Sequence, residues 1–197
     1  MLKNNNKIAI VLCGHGSSFN LYIQDFKKNH KIIEKQINTN CYICFIEKNE
    51  PNIENCLQLI KKKGIKQVIF FPFLLFNGKH FEHDIKSKIE ELSKNLSLKI
   101  KLIEKISLTK EVMPIIEKKI SKIIIKNKTN ILATFCSGSK NPKVRSEQKK
   151  YTKAIAKNLN IEKAYSYFVG EETKFMEEIK NLKNENYFLI IQPIFLF

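Results

Sequence analysis

Arginine is nearly absent from this sequence: Arg145 is the only one among 35 basic residues. Proteins that read nucleic acid lean on arginine for bidentate contacts to bases, so a basic composition built from lysine argues against that role. Long apolar runs are missing too. No stretch of about 18 apolar residues occurs, which excludes a membrane-spanning helix. The N-terminal Met1-Leu2-Lys3-Asn4-Asn5-Asn6 has no separate apolar region or cleavage site, and no export signal is expected. The five cysteines are odd in number, which disfavours a disulfide framework and fits a reduced, cytoplasmic chain. No histidine-rich tail and no cysteine cluster of the kind that holds iron and sulfide is present, so no iron–sulfur cluster is expected.

What is present is lysine, isoleucine and asparagine throughout. The formal charge is +16 and the isoelectric point near 9.6. Such charge suits a polyanionic partner: nucleic acid, an acidic membrane or a small molecule with several carboxylates. Compositional bias explains it equally well, and neither nucleic acid nor membrane is an expected partner. With 197 residues, 43% of them hydrophobic, the chain can bury a core as one domain or as two small α/β halves.

Lys7–Cys13 is apolar on both alternating faces, the pattern of a strand covered by helices on both sides. A helix follows, capped by Ser17 or Ser18 and carrying a stripe of Leu21, Phe26, Ile33 and Ile37. His30 lies among its lysines and reads as solvated. Cys41–Glu47 is a second strand. Its Cys41-x-x-Cys44 spacing places the two thiols on opposite faces, a poor geometry for a metal or a disulfide. Pro51 falls near the first position of the next helix, which carries Ile53, Cys56, Leu57 and Ile60 and stops at Gly64. Gln67–Phe76 is a third strand that ends or bulges at Pro72, before Asn77-Gly78-Lys79-His80. A helix over 83–96 and a strand over 98–103 complete a β-α-β-α-β-α-β series, which implies a parallel sheet.

The pattern then returns. A helix from about 111–114 to 126 precedes a strand at 131–136, a helix at 143–159, a strand at 164–169, a helix at 173–182 and a strand at 187–197. Gly14-His15-Gly16-Ser17 corresponds to Cys136-Ser137-Gly138-Ser139, and Phe45-Ile46-Glu47 to Phe168-Val169-Gly170. Pro72 corresponds to Pro193. The expected architecture is therefore α/β, two tandem repeats over 1–108 and 109–197, each a parallel sheet flanked by helices. The second copy has serine for histidine and glycine for glutamate.

In parallel α/β sheets ligands bind at the carboxyl ends of the strands. Three loops there carry His15, Glu47 and His80. Two imidazoles and a carboxylate suit a divalent metal such as cobalt, iron, nickel or zinc, and so few protein ligands leave coordination positions open. The plainer alternatives are that His15 and His80 close turns and that Glu47 is a surface carboxylate. Glu50 competes for its role, and His83 and Asp84 lie on the helix after His80.

Gly14-His15-Gly16-Ser17, Phe45-Ile46-Glu47 with Glu50-Pro51, and Pro72-Phe73-Leu74-Leu75 with Gly78-x-His80 and Asp84-Ile85 together resemble the class II chelatases of tetrapyrrole synthesis, the sirohydrochlorin cobalto- and ferrochelatases of the CbiX/SirB type. The resemblance implies a chelatase-like fold and ATP-independent insertion of Co²⁺ or Fe²⁺, with Ni²⁺ acceptable to the same ligands, into sirohydrochlorin for cobalamin or siroheme. It implies that His15, His80 and Glu47 bind the metal and handle protons. Gly14, Gly16, Ser17, Ser18, Gly78 and Lys79 would line the substrate. The shortened second half departs from the family pattern, which would continue with a loop, a helix and a strand; either the chain is truncated, or a second copy covers the apolar last strand.

Three rival readings remain, one of them a nucleic-acid module supported only by charge, which tight, steeply salt-dependent DNA binding would reveal. His15-Gly16-x-x-x-Asn20 resembles part of a histidine phosphatase motif, but those enzymes rely on arginines around the phosphate. A metal-binding protein or metallochaperone without catalysis is the third alternative.

Overall fold

The computed structural model describes residues 7–37, 39–76, 80–103, 106, 108–139, 141–182 and 186–195, without the side chains of residues 80, 82 and 83. The chain divides into two compact units, Met1–Lys105 and Ile106–Leu196.

The first unit alternates strand and helix: β1 (Ile8–Gly14), α1 (Asn20–Ile37), β2 (Asn40–Phe45), α2 (Ile53–Lys62), β3 (Gln67–Pro72), α3 (Ser87–Asn95) and β4 (Lys99–Leu102). All pairings are parallel, in the order β2-β1-β3-β4. The alternation in β1 sorts its side chains to two cores. Ala9, Val11 and Cys13 face Ile53, Leu57 and Ile60 of α2 and Ile89 and Leu92 of α3. Leu12 and Ile10 face Phe26, Ile33 and Ile37 of α1. Burying a side chain such as Phe26 contributes about 1.5–3 kcal/mol. Cys41 lies in the α1 core and Cys44 in the α2–α3 core, so the Cys-x-x-Cys pair does straddle the sheet. All five thiols are buried and free.

Several boundaries differ from the sequence reading. α1 starts at Asn20, because the Ser17 hydroxyl accepts the Phe19 N–H at 3.1 Å in a turn ahead of the helix; neither Ser17 nor Ser18 is its cap. That phase puts Tyr22 and Ile23 on the buried stripe and leaves Leu21 69% exposed. His30 is not merely solvated: its Nε2 donates to the Cys41 carbonyl at 3.1 Å, tying α1 to β2. β2 stops at Phe45, so Glu47 stands in the following turn. Pro51 precedes the helix, since the Asn52 side chain takes the cap position and accepts the Asn55 N–H at 2.9 Å. Gly64, at φ +76°, ends α2 as expected.

The third helix also begins early. A wide-turned π-helical stretch, His80–Lys86, runs directly into α3. His80 therefore opens a helix instead of sitting in a loop. β3 stops at Pro72, and its alternate N–H groups explain why. Gln67 and Phe73 donate to β1, at the Lys7 and Cys13 carbonyls, so Pro72 faces the β4 side. There β4 has already ended, its last paired residue Leu102 lying opposite Phe70.

The second unit opens with a π-helical turn, Leu108–Val112, leading into α4 (Met113–Ile120), earlier and shorter than the sequence suggests. It continues with β5 (Thr129–Cys136), α5 (Pro142–Asn158), β6 (Lys163–Phe168), α6 (Glu172–Lys180) and β7 (Tyr187–Ile194). The sheet is parallel, in the order β6-β5-β7. β7 ends at Ile194, short of the expected 197; Leu196 and Phe197 lie outside the described residues. The order repeats β2-β1-β3, and so does the register: Cys13 pairs with Cys44 and Pro72, and Phe135 with Tyr167 and Pro193. Where the first unit packs Leu12, the second has Thr134, bonded to Thr152 at 2.7 Å and to the Gln148 amide.

Candidate functional site

β1 and β2 end side by side, Gly14 opposite Phe45. The loops leaving them stay joined. The Ile46 N–H donates to the Gly14 carbonyl and the Glu47 N–H to the His15 carbonyl, each at 3.0 Å. The ladder thus runs two residues past the strands and sets His15 beside Glu47. His15 Nδ1 lies 3.6 Å from Glu47 Oε1, and both side chains are 40% exposed. Nδ1 also lies 3.2 Å from the Gly16 carbonyl oxygen. Both of these neighbours only accept, an arrangement that suits a proton on Nδ1 in the neutral ring. Lys48 Nζ is 3.8 Å from the same Glu47 oxygen.

Glu50 has different work. Its carboxylate accepts the Asn52 N–H at 2.7 Å and the Asn52 and Asn55 side-chain amides at 3.1 Å each. The Asn52 backbone bond first, then Asn55, holds its pKa below the usual carboxylate value. It fastens the start of α2, and Glu47 is the carboxylate that faces the histidine.

The glycines flanking His15 act through space. A Cβ on Gly14 would meet the Tyr22 hydroxyl at 2.9 Å and Phe26 at 3.2 Å. Gly16, at φ +95°, lies so close to the Glu47 backbone that no larger residue fits. Ser17 is held through its N–H, which donates to Asn49 Oδ1 at 2.7 Å. Ser18 is exposed. Gly78 and Lys79 lie outside the described residues, and of His80 only the backbone is described.

Two contributors escaped the sequence reading. Asn49 reaches across to Ser17, and the Tyr22 hydroxyl accepts the Gly16 N–H at 3.4 Å. Burial raises the Tyr22 pKa above its ordinary value, keeping the phenol protonated. Asn49 sits in a polar turn and Tyr22 on a helix, and neither spacing announces such a contact.

Among the described residues no group of three His, Cys, Asp or Glu side chains converges as a metal site. His15 and Glu47 are the two candidate donors that the described residues bring together here. Three thiols, Cys13, Cys44 and Cys56, share the core beneath; burial and the neighbouring thiols push Cys44 well above its ordinary pKa.

The corresponding position of the second unit lacks this pair. Val169 N–H donates to the Cys136 carbonyl at 2.9 Å, as Ile46 does to Gly14, which places Ser137 and Gly170 where His15 and Glu47 stand. Arg145 and Glu171 stand there, joined by two bonds of 2.8 and 2.7 Å, with the guanidinium 3.6 Å above the Phe168 ring and Lys174 Nζ 3.5 Å from the same carboxylate. The Arg145 bonds, then the Phe168 N–H, lower the Glu171 pKa to about 2.

Comparison with known proteins identifies the family. Residues 9–123 match the CbiX family model. A sirohydrochlorin cobaltochelatase of Sulfolobus acidocaldarius is 27% identical over 124 residues, covering 59% of this chain and 93% of that protein. A chloroplastic sirohydrochlorin ferrochelatase of Arabidopsis thaliana is 33% identical over 92 residues, covering 45% of this chain and 40% of that one. The solved structure of SirB from Bacillus subtilis with Fe³⁺ superposes with a TM-score of 0.84 at 22% identity, covering 97% of this chain and 77% of that one; it shows the shared fold.

Proposed function

This chain belongs to the CbiX family, and from that premise we propose that it is an ATP-independent sirohydrochlorin chelatase, which inserts Co²⁺ or Fe²⁺ into the tetrapyrrole. The observation that carries the reading is the His15–Glu47 pair, 3.6 Å apart and half-exposed at the carboxyl ends of β1 and β2, inside the family-matched segment.

Metalation exchanges two pyrrole protons for one divalent cation. Imidazole and carboxylate are borderline-to-hard donors that suit Co²⁺ and Fe²⁺ and accept Ni²⁺ as well. With Nδ1 protonated toward Glu47 and the Gly16 carbonyl, His15 offers Nε2 to the incoming metal. A carboxylate behind a ligating imidazole fixes its tautomer and raises its basicity. Glu47 takes that part and, being half-exposed, also accepts a proton leaving the macrocycle. His80 is proposed as the second imidazole, from the family resemblance. The carboxylates of the macrocycle would meet Lys48 and Lys79, while the N–H groups of Gly16, Ser17 and Phe19 are already taken by Tyr22, Asn49 and Ser17. The five free thiols support a reducing, cytoplasmic setting.

The test is an anaerobic absorbance assay of the purified chain with sirohydrochlorin and Co²⁺, then Fe²⁺, beside His15→Ala and His80→Ala. Metalation above the rate of metal alone, lost in both variants, is the expected result. Metal binding without turnover by folded protein overturns the enzyme reading and leaves a non-catalytic metal-binding protein.

A further inference from the structure

The Asn49 side chain bonds to Ser17 and so closes the lacing between the His15 and Glu47 loops. The His15 carbonyl accepts the Glu47 N–H at 3.0 Å, and the Glu47 carbonyl accepts the Asn49 N–H at 2.8 Å. Asn49 Oδ1 then accepts the Ser17 N–H at 2.7 Å. Three bonds in succession lead from His15 through Glu47 and Asn49 back to the residue two beyond His15.

The middle bond is the costly one. It spans Lys48, a non-glycine residue at φ +63°. An i to i+2 bond across a positive-φ residue is the rarer and more strained of the tight three-residue turns, and lysine has no side-chain bond to its own backbone that would ease it. Such strain persists only where the surroundings over-determine it. Here Gly16 lies against the Glu47 carbonyl on one side, and the Asn49 amide anchors the turn on the other.

We propose that Asn49 is a positioning residue: its amide oxygen locks the Glu47–Asn49 turn to the His15 loop and so fixes the approach of the His15 and Glu47 side chains. The proposal rests on the chelatase reading of that site. An outer partner of this kind typically carries about 10–100-fold in metal affinity or activity.

The experiment compares wild type with Asn49→Ala, which deletes the acceptor, and Asn49→Asp, which keeps it. Three quantities are read: Co²⁺ binding from its visible absorption with no tetrapyrrole present, the metalation kcat and KM, and the melting temperature. Asn49→Ala is expected to weaken Co²⁺ binding and lower kcat by about 10–100-fold with little change in KM, and Asn49→Asp to restore most of both. Unchanged Co²⁺ binding and kcat in Asn49→Ala overturn the proposal. So does a loss that only follows the melting temperature and is not rescued by aspartate. If Asn49→Ala does not fold, Asn49→Gln, which moves the acceptor by one methylene, serves in its place. If wild type fails to metalate sirohydrochlorin, the functional reading falls alone, and the Co²⁺ titration still decides the role of Asn49.

Discussion

The Cβ atom that Gly16 lacks would sit 1.8 Å from the carbonyl oxygen of Glu47. Gly16→Ala therefore has to push the two loops apart, in addition to straining a residue at φ +95°. The strain alone costs about 1–3 kcal/mol, and the displaced loops should lower metalation by at least about tenfold. Gly64→Ala supplies the contrast. Its φ is +76° with nothing within 4 Å of the new Cβ, so it should lower the melting temperature and leave the metalation rate unchanged. Paired melts and rate assays separate the two.

Glu47 and Glu50 sit three residues apart and should respond oppositely to amide substitution. Glu47→Gln is expected to weaken Co²⁺ binding and metalation by about 10–100-fold. Glu50→Gln should leave both unchanged and destabilise the start of α2. Because the folded-state pKa of Glu50 is depressed, its contribution is present above the ordinary carboxylate pKa and is lost as pH falls through the folded value. Melting curves of wild type and Glu50→Gln should differ at neutral pH and converge in acid.

The Arg145–Glu171 pair makes an analogous prediction for the second unit. The Glu171 pKa is lowered to about 2, so the pair stabilises fully above about pH 4.5 and loses its contribution as pH falls toward about 2. Arg145→Lys keeps the charge but loses the two-pronged geometry and the stacking on Phe168, and should cost about 1–2 kcal/mol. Urea unfolding at neutral pH measures that loss, and the same measurement near pH 3 should show it shrinking.

A formal charge of +16 acting on a polycarboxylate substrate should appear in the encounter and not in the chemistry. Between about 0.01 M and 1 M salt the screening length falls from roughly 30 Å to 3 Å. Steady-state kcat/KM for sirohydrochlorin should then drop by about tenfold or more, with kcat nearly constant. A flat salt profile would mean that the lysines are compositional.

The order of strands and helices could be read from the sequence because burial on both faces writes an unbroken apolar run in β1 and a run interrupted only by Thr134 from Ile131 to Cys136 in β5. The Pro72 stop, the Gly64 stop and the opposite faces of Cys41 and Cys44 are equally local consequences of backbone chemistry. Helix starts were harder. Ser17 turns its hydroxyl to Phe19, and Asn52 displaces Pro51 from the first turn, because side-chain bonds to nearby N–H groups compete for the same few donors. The repeat named Ser137 and Gly170 as the counterparts of His15 and Glu47, and the strand register agrees. Asn49 was not legible, since its contact is with Ser17, far away in sequence and joined only when β1 and β2 lie side by side.

Pro72 and Pro193 occupy the same register in the two sheets. The Asn186 carbonyl bonds to Thr129 of β5, so alternate residues of β7, Pro193 among them, turn their backbone outward from the β5 side. Among the described residues β7 has β5 as its one neighbour, and its outward row includes Ile191, 54% exposed. Proline deletes the last donor of that row, as Pro72 does where β3 outruns β4. The two sheets thus lack an outward N–H at the same step of their ladders, and the second does so in the unit where Ser137 and Gly170 stand at the positions of His15 and Glu47.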